Sequence, residues 1–267
     1  MAAPLPPFDL FAPGAATALV LLGARIGGML LVAPVLGARN VPVKVRTGLL
    51  VLFTALLQPA GLAHMAPAAA ITPAAVVAET LVGFVFGLGI ALLVGAAEAA
   101  GEIAGVQIGL SGAALFDPTS GQQSTALGHF VSMFTVTLLL AANAHVVMLE
   151  SLAESLQRLP LGEPVHVREG LQAMVRAGSI LFALGVRFAA PVIATVLVAN
   201  TALAILGRAA PQLNVLSVAF PVQIGLGLVA LGLSVPFIAY ALGGWRGEYD
   251  GTLNSMLGAL TRGGGGR

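Results

Sequence analysis

Cysteine is absent from this 267-residue chain, and lysine (Lys44) and tryptophan each occur once. Without cysteine there are no disulfides, thiolate metal sites or Cys nucleophiles. Charge is scarce as well: 9% of residues carry it, against about 25% in soluble domains. The net charge of +1 leaves no basic stripe to neutralise phosphates, which excludes nucleic acid as a partner. No G-x-x-x-x-G-K-[ST] loop is present, so a Walker-type nucleotide site is excluded. None of His64, His129, His145 and His166 begins an H-E-x-x-H motif, and no two are four apart, which argues against a zinc site of that type. No cofactor or metal is expected. The N-terminus lacks a basic n-region, contains Asp9 and carries Pro4, Pro6, Pro7 and Pro13, so it does not read as a signal peptide.

What the chain has instead is apolar surface. Hydrophobic residues make up 58% of it, and the mean hydropathy is +0.98. The scarce charges separate the apolar segments Ala15–Leu36 (interrupted by Arg25), Gly48–Ala63, Thr80–Ala97, Leu127–Leu149, Ala177–Leu206 (interrupted by Arg187) and the uncharged run between Arg208 and Arg246. Each long segment approaches the roughly 20 residues a membrane span needs. Ile103–Phe116 is shorter and reads as a re-entrant piece. No two-residue alternation persists, so strands are not expected. The predicted fold class is all-α integral membrane, with broken Gly/Pro-rich helices, helical hairpins and one short re-entrant loop. The positive-inside rule places the Arg39–Lys44–Arg46 loop in the cytoplasm, but Glu98, Glu102 and Asp117 and the basic C-terminal tail contradict a simple six-span alternation. Several segments are therefore expected to be hairpins that do not cross. With 16 prolines and 34 glycines, kinks are predicted at Pro191, Pro221 and Pro236. Backbone freed by such breaks must be buried in protein or line a wet cavity. That leaves two readings open, kinked helices packed together or part of a channel. Glu248–Thr261 has the spacing of a short amphipathic helix, and Gly263–Gly266 reads as a flexible end.

Several constellations are candidates for chemistry. Glu98 and Glu102 lie one turn apart on one helix face. They suit a proton or cation relay, the solvated end of a helix, or ion-pair partners for Arg25 and Arg187. An arginine inside an apolar run costs about 2.5–3.5 kcal/mol unless paired or wetted, so Arg25 and Arg187 are expected to pair with Glu79, Glu98 or Glu102. Asn143, His145, Asn200 and Gln223 suit interhelical hydrogen bonding. Gly109-Leu110-Ser111-Gly112 matches the G-x-S-G nucleophile pattern of rhomboid-type proteases, with His129 and His145 as available bases. The stretch Gly101–Ser124 passes from charge through Gly-rich apolar residues to Asp117-Pro118, a turn signal. It reads either as a re-entrant loop that lines or blocks a pore or as an ordinary packed hairpin.

A set of short matches runs along almost the whole chain in order. It includes Arg25-x-x-Gly28, Ala33-Pro34-Val35-Leu36-Gly37, Arg39-Asn40-Val41-Pro42, Glu79 with Gly83-Phe84, and Gly101-Glu102-Ile103-x-Gly105-x-Gln107-x-Gly109-Leu110-Ser111. Asp117-Pro118, Leu159-Pro160-Leu161-Gly162, Ala190-Pro191-Val192, Asn200, Arg208 to Val215 and Phe220-Pro221 continue it. On these residues the chain resembles the FliR family of flagellar export-gate proteins, called SctT in virulence-associated type III secretion. The resemblance implies a non-enzymatic subunit, present once in an assembly with FliP-like and FliQ-like subunits and an FlhB-like switch subunit. It would stand in the bacterial inner membrane at the flagellar basal body, in contact with lipid and with unfolded exported proteins. It further implies a pore plug at Gln107–Ser120, carried here by Gln107, Gly109, Ser111, Gly112, Leu115, Phe116, Asp117 and Pro118. Arg25, Glu79, Glu98, Glu102 and Arg187 are expected in structural ion pairing. Residues 1–245 are expected to form one gate domain and 246–267 an amphipathic, flexible tail. The virulence system is the alternative; a small-solute transporter and a rhomboid-like protease are more distant ones.

Overall fold

The computed structural model describes residues 9, 11–34, 41–109, 126–210, 212 and 215–261. Eight helices are seen among them: α1 (Ala15–Val32), α2 (Val43–Ala63), α3 (Pro73–Ile108), α4 (Ala126–Ala141), α5 (Ala144–Arg158), α6 (Val167–Ala209), α7 (Val215–Gly243) and α8 (Trp245–Thr261). The one β-type contact among the described residues is an isolated parallel bridge between Met65 and Leu161. The chain is thus an all-α integral membrane protein. Five of the helices are long and apolar enough to cross a bilayer, or six spans if α4 and α5 are taken together.

The helix limits follow local chemistry. α1 starts after Gly14, whose φ of +82° is left-handed and whose absent side chain leaves room for Met65. It stops at Ala33, held extended by the following proline. α2 continues through Pro59 to Ala63, the end expected for the segment Gly48–Ala63. α6 and α7 likewise run through Pro191, Pro221 and Pro236 without ending. The interruption falls at Asn143 instead, inside the expected segment Leu127–Leu149. Its φ of 57° suits asparagine, which tolerates the left-handed region, and α4 and α5 meet there at 64°. The expected separate piece from Ile103 begins inside α3, which passes through Glu98, Gly101 and Glu102 unbroken to Ile108. The polar residues Glu150–Arg176, expected between two segments, are shared by α5 and α6. The expected tail helix forms, from Trp245 to Thr261.

The chain divides into two compact units. The first comprises residues up to Ala91, Leu140–Ala177 and the tail from Arg246. Here α1 and α2 run antiparallel: a side chain added at Gly23 would meet Thr54, and one at Gly27 would meet Leu50. α1 and α3 run parallel and press together through glycine. The carbonyls of Arg25 and Met29 lie where side chains at Gly83 and Gly87 would stand, and Thr80 likewise excludes a side chain at Gly28. Small residues spaced four apart bring helix backbones into contact in this way. The second unit comprises Leu92–Leu139 and Gly178–Trp245. Its core joins Ala97, Ala104 and Ile108 of α3 to Leu127 and Val131 of α4, Val192 and Val196 of α6, and Ala230 and Leu231 of α7. Gly101 lies directly against Gly128, so this glycine serves a close helix crossing and does not end α3.

Candidate functional site

The first unit is organised around one buried charge. Arg25, in the third turn of α1, is fully buried, and its Nε donates to Glu79 Oε2 of α3 at 2.6 Å. Its Nη1 donates to Ser155 Oγ of α5 and to the Leu159 carbonyl, and Nη2 donates to the same carbonyl, all at 3.1 Å. The second oxygen of Glu79 accepts from the Gly162 backbone N–H at 2.8 Å, while Ser155 passes its own hydrogen to the Leu152 carbonyl. Both charges are therefore compensated and multiply bonded, the condition under which a buried ion pair is tolerated. Three helices and the loop after α5 converge on it.

Position on the helix explains the convergence. Glu79, Gly83 and Gly87 repeat every four residues and share one face of α3. The glycines let α1 approach until Arg25 faces Glu79. The loop Leu159–Gly162 is held by bonds from the Leu161 N–H to the His64 carbonyl and from the Ala66 N–H to the Leu161 carbonyl, both 3.0 Å. Gly162 turns it with φ +80°, against Ala69, where a side chain would not fit.

A second anchor seats α8. Tyr249 is fully buried, with its ring against Gly89 and its hydroxyl donating to the Phe86 carbonyl at 3.4 Å. Burial, and then the charge of Asp250, push its phenol well above the ordinary value, while a hydrogen bond with Ser151 pulls the other way. Leu253, Met256 and Leu260 are buried on the same side of α8. The His166 N–H donates to the Leu260 carbonyl at 2.8 Å, and Arg158 donates to Asn254 at 3.0 Å. A polar cleft of about 170 Å³ runs beside it, lined by Glu150, Glu154, Arg158, Arg246 and Asp250. The Arg246–Glu150 pair at its rim is 4.0 Å apart and exposed, so it contributes little.

The other residues singled out from the sequence lie elsewhere. Glu98 is half-buried, with no hydrogen bond or ion pair among the described residues. Glu102 packs its carboxylate against Gly128. Arg187 is exposed on α6 and makes no ion pair with a described residue. Asn200 and Gln223 bond to each other, joining α6 to α7. Gln107 is half-buried near the end of α3, and Gly109 turns the chain off that helix with φ +88°. Ser111, Gly112, Leu115, Phe116, Asp117 and Pro118 lie outside the described residues, as does the proposed serine nucleophile with them. Among the described residues no cluster of three or more His, Asp or Glu is placed to hold a metal ion. Sequence reasoning gave no role to Ser155 or to the Leu159 carbonyl, and took Tyr249 only as one residue in the apolar spacing of the tail helix. The expected pairing of Arg25 with Glu79, Glu98 or Glu102, and the resembling piece Leu159-Pro160-Leu161-Gly162, had pointed toward the first site.

Comparison with known proteins matches this arrangement to a family. The model of "Bacterial export proteins, family 1" covers residues 16–245. The flagellar biosynthetic protein FliR of Pectobacterium carotovorum subsp. carotovorum is 34% identical over 215 residues, 80% of this chain and 82% of its own length. That of Escherichia coli K12 is 32% identical over 217 residues, 80% and 83% of the two chains. That of Bacillus subtilis strain 168 is 28% identical over 254 residues, 91% and 94%. With α2 to α7 and nearly all of α1 inside the match, the chain belongs to the FliR family of bacterial export proteins.

Proposed function

We propose that this chain is a non-enzymatic subunit, present in one copy, of the flagellar type III protein-export gate, and that it lines and plugs the pore through which unfolded flagellar proteins cross the inner membrane at the basal body. Its neighbours there are FliP-like, FliQ-like and FlhB-like subunits. Residues 1–245 act as the gate body, and 246–267 as a tail docked onto it. The relatives named above are flagellar proteins by name, which favours this system over a virulence-associated one.

The observation that carries the reading is the end of α3. This helix is gripped near its start by the Arg25–Glu79 node, runs 36 residues and ends at left-handed Gly109. The segment that follows, to Ser120, is the one the family resemblance assigns to the plug. A loop hung from a firmly held helix keeps its place while it opens and closes. Leu115 and Phe116 exclude water and ions in the closed state, and the glycines from Gly109 to Gly112 let the segment move when a substrate arrives. Arg187, exposed on an apolar helix, pairs with an acidic group of an adjoining subunit, and Glu98 with a basic one.

Replacing Leu115 and Phe116 together with glycine is expected to raise ion conductance through the assembled complex in a bilayer. Conductance equal to that of the unmodified assembly would reject the plug assignment. Ser111→Ala is expected to leave export intact; loss of export would revive a catalytic reading.

A further inference from the structure

Resting on the gate reading above, we propose that Phe220 of α7 is a positioning residue of the gate. Its ring seats the last turn of α3 in the closed state and leaves it on opening. The Arg25–Glu79 node does not suffice for that seat. About 45 Å of helix, at about 1.5 Å per residue, separates Glu79 from Gly109, and a tilt of about 5° over that length moves the far end by about 4 Å. A seal at that end needs a hold of its own.

The second unit supplies it through one face of α7. Phe220, Ile224 and Gly227 are spaced four and three apart, so they share that face. Ile108 of α3 is fully buried, and its side chain fills the space where one at Gly227 would stand. Ile224 packs on the core that contains Ile108. The Phe220 ring then reaches Gly109, where a side chain would meet it at 3.7 Å. Gly109 is the residue that turns the chain off α3, with φ +88°. Beside this face Gln223 bonds to Asn200, which ties this part of α7 to α6.

These contacts differ in permanence. Ile108 is locked in a core, whereas Phe220 is 56% exposed and holds Gly109 by part of its ring. Phe220 also stands immediately before Pro221, inside α7. Proline has no N–H to give, so the first turns of α7 are joined to the rest by one helical hydrogen bond fewer, and helices bend at such points. The Gln223–Asn200 bond and the Ile108 seat at Gly227 both lie beyond the proline. The turns that carry Phe220 can therefore swing while both of those stay made. The weak joint falls between the contact that must let go and the two that must hold.

The test measures ion conductance of the full assembly in a bilayer, at matched amounts of assembled complex. Phe220→Ala is expected to raise closed-state conductance about tenfold, and Phe220→Leu to restore most of the seal. Phe182→Ala, which removes another exposed phenylalanine of the same unit, is expected to leave conductance unchanged. Added to Leu115→Gly with Phe116→Gly, Phe220→Ala is expected to raise it no further, because both open one seal; a merely structural loss would add its own effect. If the glycine pair leaks and Phe220→Ala does not, or if their effects add in full, the proposal is overturned and the gate reading stands. A leak from Phe220→Ala but not from the glycine pair overturns the assignment of Leu115 and Phe116 and supports the proposal; no leak from either overturns both. A benzophenone side chain in place of Phe220 keeps an aromatic ring there and serves even if Phe220→Ala fails to assemble. It is expected to give adducts with the end of α3 at rest, and several times fewer with an export substrate stalled in the gate. No such adducts at rest, or undiminished ones with the stalled substrate, would overturn the proposal.

Discussion

Arg25 illustrates how a residue that is costly in isolation becomes a fixed point. Its guanidinium has no exposure, and the carboxylate, hydroxyl and carbonyl around it use its donors on both sides. Removing one partner strands the other. Glu79→Leu is expected to lower stability in detergent by about 3–5 kcal/mol, while Arg25→Met with Glu79→Leu recovers much of the loss. Denaturant titration of the two variants checks this, and equal loss in both would contradict it. Glycine offers a sharper contrast. Gly83→Ala forces the α1 backbone away and is expected to cost about 1–3 kcal/mol. Gly48→Ala meets open space and is expected to stabilise α2 by up to about 1 kcal/mol. That Arg25 needs a carboxylate was legible in the sequence. Which of Glu79, Glu98 and Glu102 supplies it was not, because the choice depends on the register of α1 on α3, set by backbone contacts at Gly28, Gly83 and Gly87. The Leu159 carbonyl carries no sequence signal at all, since every residue has one.

At the scale of elements, hydropathy located the helices better than it located their ends. It runs unbroken across Ala141–Ala144, so α4 and α5 read as one segment, and the one mark of the bend is a polar residue suited to positive φ. Asn143→Gly is expected to leave stability nearly unchanged, whereas Asn143→Val costs about 1–3 kcal/mol; thermal unfolding in detergent separates them. The prolines expected inside apolar runs do stand inside helices, as Pro191 does in α6 and Pro221 and Pro236 in α7. The tail helix was legible from the spacing of Tyr249, Leu253, Met256 and Leu260, but its docking was not. Since the Tyr249 phenol is raised in the folded chain, its contribution is complete below about pH 10, the ordinary tyrosine value. As pH rises beyond that, the unfolded chain ionises first and stability falls, by up to about 1.4 kcal/mol per pH unit. Protease cleavage of the tail is therefore expected to rise steeply above pH 10. In Tyr249→Phe it starts higher at neutral pH but lacks that steep rise. The same pH profile in both proteins would contradict the assignment.

For the whole molecule, helix length is the telling quantity. At about 1.5 Å per residue, the 36 residues of α3 and the 43 of α6 come to about 54 and 65 Å, well beyond a hydrocarbon layer of about 30 Å. Helices of that length cannot lie wholly within one crossing, which is why counting spans by charge failed: α6 begins with Arg168, Glu169 and Arg176 and continues into an apolar run without a boundary. Large apolar side chains stay uncovered along α6 and α7, among them Phe182, Leu197, Val198 and Leu233. Lipid can cover these, but not Arg187 beside them at no cost, and this is the part of the surface that calls for protein or water.

The central claim is that the segment after α3 borders the path of an exported protein. The most direct measurement places a photocrosslinker at position 115 or 116 in cells holding a stalled flagellar export substrate. The account predicts adducts with the substrate from these positions and none from Leu56, exposed on α2. Substrate adducts from Leu56 as readily as from 115 and 116, or from none of the three while export is stalled, would contradict it.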